Sequence, residues 1–153
     1  MIRAWRTTKR KYAGAAFSGE GARLAGGRFN HRGTPLIYTS WTLSLSVLEV
    51  LTQVVGYEDL SDYVAVPVTF SERHVKVLDV NDMPPDWRNL PALTSTKALG
   101  MDWIASQSSL ILQVPSVIVP TEHNYLINPT HPDFAQVVIG NPQALEIDPR
   151  LLK

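Results

Sequence analysis

The strongest constraint on the fold is an alternating apolar run from Tyr63 to Phe70, in which every second residue is a valine or a phenylalanine. This period of two predicts a β-strand with one face turned to the core. Val75 to Val80 repeats the signal, and we expect the two strands to pair as antiparallel neighbours. Strands and helices do not alternate regularly, so residues 1–153 are predicted to form a single α+β domain rather than a Rossmann sheet.

The remaining elements follow from apolar spacing and turn residues. Further strands are predicted over Ile2–Thr7, Leu36–Ser40, Leu110–Val114, Val117–Val119 and Phe134–Ile139. We expect Leu110–Val114 and Val117–Val119 to be one strand broken by a bend at Pro115 and Ser116. A helix is predicted from about Ser95 to Ser106. The segment from Lys9 to Gly27 is predicted to be a long loop, and loops of this length in compact domains often carry function.

A second predicted helix, from Thr42 to Val55, carries a carboxylate away from its apolar face. Its apolar arc centres near Val47 and Leu51, and Ser40 or Thr42 can cap its first turn. Glu49 lies on the opposite face, which it shares with Thr42, Ser46 and Gln53. That face meets either water or a polar cleft, and helical periodicity alone favours water.

Charge is unevenly distributed along a chain whose formal net charge is zero. Residues 1–33 carry eight basic side chains against the single acid Glu20, a net +7, and the remainder carries about −7. This segment is either a solvated basic loop or a surface for an anionic small ligand or acidic partner. The overall charge balance and the absence of a nucleic-acid-binding motif argue against direct binding of nucleic acid.

Several classes of protein are excluded or disfavoured by what the sequence lacks. Without cysteine there is no disulfide, thiolate zinc site or cysteine nucleophile. The four histidines have no metal-binding spacing, so we expect no metal. Neither a Gly-x-Ser-x-Gly elbow nor a Gly-x-Gly-x-x-Gly loop is present. No apolar run is long enough to span a membrane and no signal peptide is recognisable, so a cytoplasmic protein without membrane contact is expected.

Several side chains in the first quarter of the chain suit an anionic ligand, although each also has a structural interpretation. Gly26 and Gly27 allow the backbone to approach a phosphate closely, or they simply form a turn. Arg28 and Arg6 can bind phosphate in a bidentate manner, or they form surface ion pairs. Tyr38 either packs in the core or stacks on a nicotinamide or adenine ring.

Taken in order, six segments of the chain resemble the RES-domain family. They are Trp5–Arg6, Gly26–Asn30 (Gly-Gly-Arg-Phe-Asn), Gly33–Ser40, Leu48–Glu49, Val114–Ser116 and Asn124–Pro132. The family takes its name from an arginine, a glutamate and a serine, and its members are typically toxins of bacterial toxin–antitoxin pairs. The resemblance covers nearly the whole chain. Phe29 stands where many relatives have tryptophan, which keeps an aromatic ring at that position.

The resemblance implies a fold related to ADP-ribosyltransferases, with a mixed or antiparallel β-core flanked by helices around an NAD-binding cleft. It also implies that NAD is consumed as a substrate by cleavage of the bond between nicotinamide and ribose. With phosphate as acceptor the activity is that of an NAD phosphorylase, and with water that of an NAD glycohydrolase. Two alternatives remain open. One is a mono-ADP-ribosyltransferase that modifies a macromolecule, and the other is a non-catalytic module that binds an antitoxin.

The family pattern also assigns residues. It implies catalytic roles for Arg28, Glu49 and Ser116. It implies NAD contacts for Arg6, Gly27, Arg28, Tyr38 and Ser116. As a hypothesis, Glu49 stabilises the oxocarbenium-like transition state, the two arginines bind the pyrophosphate or an incoming phosphate, Tyr38 stacks on nicotinamide, and Ser116 orients the nicotinamide ribose or its amide.

The resemblance finally implies a protein partner. The expected partner is an Xre-type antitoxin that blocks the cleft and itself binds operator DNA, so that this chain does not contact nucleic acid. An acidic antitoxin segment entering the basic residues 1–33 would be compatible with the charge distribution. A homodimer and a hetero-oligomer with the antitoxin are both open.

Overall fold

The computed structural model of the protein describes residues 1–54 and 60–151. Its strands are β1 (Ile2–Lys9), β2 (Ile37–Ser40), β3 (Tyr63–Phe70), β4 (Val75–Val77), β5 (Ile111–Pro115), β6 (His123–Ile127), β7 (Val138–Ile139) and β8 (Gln143–Leu145). Its helices are α1 (Glu20–Ala25), α2 (Leu43–Leu51) and α3 (Thr94–Ser106). The predicted α+β class is confirmed.

One mixed sheet organises these elements, in the strand order β4-β5-β6-β2-β1-β3-β7, with β8 paired to β3 as well. The β4–β5 pair is parallel and the other pairs are antiparallel. The longest pairing joins β1 to β3 over eight positions, from Ile2 opposite Phe70 to Lys9 opposite Tyr63. Strands distant in sequence therefore form the centre of the sheet, and helices flank it.

The predicted antiparallel pairing of Tyr63–Phe70 with Val75–Val80 is wrong. β3 has β1 on one side and β7 and β8 on the other, whereas β4 pairs in parallel with β5 at the opposite end of the sheet. The link between the two strands is a 3₁₀ turn over Glu72–His74, capped by Ser71, and not a tight hairpin. Because both edges of β3 are occupied by other strands, β4 has no position beside it.

Other predicted boundaries also change. The segment predicted as a loop from Lys9 to Gly27 contains a 3₁₀ helix over Arg10–Ala15 as well as α1. Val117–Val119 is a bend rather than a strand, and Phe134–Ile139 divides into a 3₁₀ turn and β7. Strands β6 and β8 were not predicted. Val55, the predicted end of the second helix, lies outside the described residues.

Both faces of the sheet are covered by apolar packing. Ile111 and Ile127 belong to a cluster on one face, while their neighbours Leu112 and Leu126 belong to a cluster on the other. Because side chains alternate along a strand, β5 and β6 supply both clusters at once. Burying both faces explains why β3 is nearly continuously buried instead of presenting one face to water.

Helix α2 is fixed beside the centre of the sheet, and this sets the position of its polar face. The Thr42 side chain accepts a hydrogen bond from the Leu45 amide at 3.1 Å, so the predicted N-cap is present. Leu45 is 1% exposed, while Val47 and Leu51 pack against the cluster of Leu60, Tyr63 and Ile147. Anchored on this side, the helix turns its opposite face to a cleft along β1 and β2.

The helices of the described ranges include none that is long and apolar enough to cross a membrane.

Candidate active site

A cleft of about 550 Å³ lies among α1, β1, β2, α2 and the segment that follows α1. Its size falls in the range of small-molecule sites. Five of the predicted site residues line it, namely Arg6, Gly27, Arg28, Tyr38 and Glu49. The polar face predicted for the second helix is present, because Ser46 and Gln53 line the same cleft as Glu49. Of the two surroundings considered for that face, the cleft is the one observed.

Glu49 is held at one of its two carboxylate oxygens. Its Oε1 accepts hydrogen bonds from Asn124 Nδ2 at 2.8 Å and from Ser116 Oγ at 3.3 Å. Within residues 1–54 and 60–151, nothing donates a hydrogen bond to Oε2. The two donors hold the carboxylate in one orientation. The arrangement therefore supplies an oriented negative charge with one oxygen uncommitted.

Ser116 lies behind Glu49 and does not line the cleft. It is 0% exposed, and its hydroxyl accepts hydrogen bonds from the amides of Ile118 at 3.1 Å and Val119 at 3.2 Å. The hydroxyl proton is thereby left for Glu49. This placement supports a role in holding the carboxylate, and it offers no support for the predicted direct contact between Ser116 and a ligand.

Arg28 lines the same cleft as Glu49 and is held there by backbone carbonyls. Its Nη1 donates to the carbonyls of Trp87 at 3.1 Å and Asn89 at 2.9 Å. Among the described residues its Nε and Nη2 donate to no acceptor. Partial burial lowers the pKa of Arg28, against smaller raising electrostatic effects from Glu49 and Tyr38. A guanidinium still stays cationic at neutral pH, so Arg28 offers two free donor groups to an anion.

Arg6 is a second cation that lines the cleft. Its Nη1 donates to the Tyr38 carbonyl at 3.0 Å, while its Nε is buried without an acceptor among the described residues. No carboxylate in the described ranges forms an ion pair with it. Burial lowers the pKa of Arg6 because it penalises the charged form. A charge buried without a partner is unfavourable, and binding of an anion in the cleft would relieve that penalty.

The loop that carries Arg28 is folded around Tyr38. The Tyr38 hydroxyl donates to Asn30 Oδ1 at 2.6 Å and accepts from the Phe29 amide at 3.1 Å. Gly27 packs directly on this hydroxyl, since a Cβ there would lie 2.5 Å from Tyr38 Oη. The Asn30 side chain is fully buried, and its amide donates to three backbone carbonyls. The absence of a side chain at Gly27 thus allows the loop to pack closely against Tyr38. Tyr38 lines the cleft and also holds the loop in its conformation.

Removing the Tyr38 hydroxyl is expected to weaken the fold. In Tyr38→Phe, the buried Asn30 Oδ1 and the Phe29 amide both lose their hydrogen-bond partner. The free energy of unfolding should therefore fall by about 1–3 kcal/mol. Burial raises the pKa of Tyr38, so the hydroxyl is protonated and donates throughout the neutral range. Urea denaturation followed by tryptophan fluorescence measures the change. Tyr12→Phe, at an exposed ring, is the control, and equal stability of the two variants would contradict the assigned role.

Two groups at the site were not predicted. Asn124 belonged to a matching segment but received no role, and it lies beside Glu49 in the cleft. Thr7 Oγ1 and Ser46 Oγ form a buried hydrogen bond at 2.8 Å that ties β1 to α2 under the cleft. Since β6 was not predicted, the alternation that turns Asn124 to the cleft was not visible. Ser46 lies on the same predicted polar face as Glu49, and that position was the sequence signal that could have assigned it to the site.

The described residues contain no group of three His, Cys, Asp or Glu side chains able to hold a metal ion.

Comparison with known proteins shows which family the chain resembles along its length. The family model described as RES domain matches residues 3–148. A protein named Toxin Res from Yersinia enterocolitica is 36% identical over 148 residues, which is 96% of this chain and 97% of that protein. A protein named Prs ADP-ribosylating toxin from Sphingobium is 33% identical over 154 residues, covering 97% and 96% of the two chains.

A solved structure shares the fold. The structure titled as the MbcT-MbcA toxin-antitoxin complex of M. tuberculosis contains a chain that aligns with a TM-score of 0.70 at 20% identity. The alignment covers 98% of this chain and 86% of that chain. At this identity the likeness bears on the fold, and it supports the sheet and helix arrangement described above.

Proposed function

The chain belongs to the RES domain family, and from this membership we propose that it is the toxin of a bacterial toxin–antitoxin pair and that it consumes NAD. The proposed reaction breaks the bond between ribose C1 and the nicotinamide nitrogen, with phosphate or water as acceptor. The observation that carries the proposal is the oriented carboxylate of Glu49 in one cleft that is also lined by Arg28 and Arg6.

The chemistry of the bond suits this set of groups. When it breaks, the electron pair stays on nitrogen, so the cationic pyridinium leaves as neutral nicotinamide and needs no proton donor. Positive charge builds on the ribose, and the carboxylate of Glu49 stabilises it. Water then adds with loss of a proton to give ADP-ribose, or a phosphate oxygen adds to give ADP-ribose 1″-phosphate. No step calls for a metal ion.

The cations supply the other half of the site. A dinucleotide carries a pyrophosphate, and guanidinium groups with free donors bind phosphate oxygens well. Arg28 has Nε and Nη2 free of hydrogen bonds within the described ranges, and Arg6 has a buried Nε without an acceptor there. We assign them to the pyrophosphate or the attacking phosphate. The Tyr38 ring lines the same cleft and is assigned to stack on nicotinamide.

A transferase is the second candidate, because the Sphingobium relative is named as a toxin that ADP-ribosylates Prs. The same cleavage would serve it, with a group on a macromolecule in place of water or phosphate. The partner proposed for this chain is an antitoxin, and the structural neighbour, which comes from a toxin–antitoxin complex, supports this. The Xre type of that antitoxin is what the family resemblance implies. Such a partner would cover the cleft. A cytoplasmic location, where NAD is available, belongs to the same proposal.

The direct test is nicotinamide release by the purified protein freed of any partner. NAD is supplied with and without inorganic phosphate, and products are separated by chromatography. We expect one nicotinamide per NAD lost, with ADP-ribose 1″-phosphate formed only when phosphate is present if the enzyme is a phosphorylase. Label transferred from NAD to a macromolecule in cell extract would instead support the transferase. Absence of nicotinamide in every arm would overturn the proposal.

A further inference from the structure

The carboxylate of Glu49 is held from two directions, and one of the two donors has no assigned role. Asn124 Nδ2 donates to Glu49 Oε1 at 2.8 Å, which is shorter than the 3.3 Å contact from Ser116 Oγ. Both donors meet the same oxygen. Resting on the proposed function, we propose that Asn124 is a positioning residue that fixes the Glu49 carboxylate so that its other oxygen faces the substrate.

Asn124 is well placed to act as a rigid anchor. It belongs to β6, where its backbone lies opposite Ser40 of β2 on one side and Val114 of β5 on the other. Glu49 extends from α2, which is a separate element. A donor fixed in the middle of the sheet therefore sets the angle of a flexible side chain on the helix.

The oxygen of the Asn124 amide indicates that this residue contributes to function rather than to stability. Its Oδ1 is buried and accepts no hydrogen bond within the part of the chain described. A buried acceptor without a partner destabilises the folded state. Reversing the amide would bring its oxygen against Glu49 Oε1, two acceptors in contact, so the orientation is determined. A leucine of similar size would remove the unsatisfied atom, and with it the donor to Glu49.

Asn124→Leu should therefore separate activity from stability. We expect kcat for nicotinamide release to fall about 100-fold, as for a misplaced reacting group, with KM changed less than about threefold. The Tm should be equal to or above that of the wild type, because the unsatisfied oxygen is gone. Thr96→Val is the matched control, since it removes another buried oxygen that has no partner among the described residues, and it should keep the wild-type kcat.

Asn124→Asp gives a signature that a merely structural residue would not give. A protonated aspartic acid can donate to Glu49 Oε1 as the amide does, whereas an ionised one repels it. Activity relative to wild type should be highest at acid pH and fall as the carboxylate pair loses its shared proton. Among the described residues, the other charged groups that line the cleft are Arg6, Lys9 and Arg28, and His123, beside Asn124, bonds to the Tyr125 hydroxyl at 3.0 Å. All of them are present in every variant, so the ratio to wild type isolates residue 124.

The role of Asn124 can be tested even if the protein does not turn over NAD. A crystal structure of Asn124→Leu should show the Glu49 carboxylate rotated away from Ser116, and this observation does not depend on any reaction. If the wild type releases no nicotinamide, the proposed function fails and the crystal structure alone decides the role of Asn124. Wild-type kcat in Asn124→Leu, an unmoved carboxylate, or a pH profile of Asn124→Asp parallel to wild type would each overturn the inference.

Discussion

Glu49→Gln is expected to reduce nicotinamide release from NAD by about 1,000-fold while the protein stays folded. Glutamine has nearly the same shape as glutamate, and its oxygen can still accept from Asn124 and Ser116. The substitution then replaces only the oxygen that faces the cleft, turning a negative charge into an amide. A neutral group cannot stabilise positive charge on the ribose, so kcat should fall much more than substrate affinity.

Glu146→Gln provides the matched control for that measurement. Glu146 is an exposed carboxylate outside the cleft, so the same loss of one charge should leave turnover unchanged. Circular dichroism and the Tm of both variants establish that each is folded. A folded Glu49→Gln protein that retains more than about a tenth of wild-type turnover would show that the charge of Glu49 is not used in the reaction.

Gly100→Ala is expected to give the largest loss of stability among single-methyl additions. Gly100 is buried in α3, and a Cβ there would overlap the carbonyl oxygen and side chain of Phe29. Phe29 is itself 4% exposed and its backbone adjoins Arg28, so neither partner can yield without moving the loop. Overpacking of this kind costs about 3 kcal/mol of unfolding free energy. Because Arg28 would move with the loop, NAD binding should weaken as well.

Gly21→Ala is the comparison for that substitution. Gly21 lies in α1, and a Cβ added there would have no atom within 4 Å, so alanine should raise stability by about 0.5–1 kcal/mol through its better helix propensity. Guanidinium denaturation should give a lower free energy of unfolding than the wild type for Gly100→Ala and a higher one for Gly21→Ala. If Gly100→Ala unfolds at the wild-type concentration of denaturant, the close approach of α3 to the Phe29 backbone is not a feature of the protein in solution.

The polar face of α2 could be predicted from the sequence because helical periodicity is a local property, but periodicity could not show that this face meets a cleft rather than water. A period of about 3.6 residues per turn suffices to place Glu49 opposite Leu51, whatever the rest of the chain does. Strand pairing is not local. The neighbours of β3 come from residues 2–9, 138–139 and 143–145, so the proximity of Val75–Val77 in sequence misled the pairing prediction. Helix α1 was missed since its glycine and small residues carry no amphipathic signal.

The roles of the site residues also depend on contacts between distant segments, which the sequence does not show. The resemblance to the RES-domain family named Ser116, but no sequence pattern could show that its hydroxyl is fully buried behind a carboxylate 67 residues away. Asn124 lies 75 residues from Glu49 and meets it only through the sheet. Gly27 suited either a turn or a phosphate contact, and the contact with Tyr38 supplies a third reason for glycine there. In each case the role depends on how closely the sheet brings two distant segments together.

The guanidinium of Arg28 divides its donors between two tasks, and that division explains why a lysine would be a poor substitute. One nitrogen is occupied by the carbonyls of Trp87 and Asn89, which fixes the plane of the group. The opposite edge keeps two parallel N–H bonds for a bidentate contact with an anion. An ammonium group has a single nitrogen, so it could satisfy the carbonyls or grip a phosphate in a defined plane, but not both.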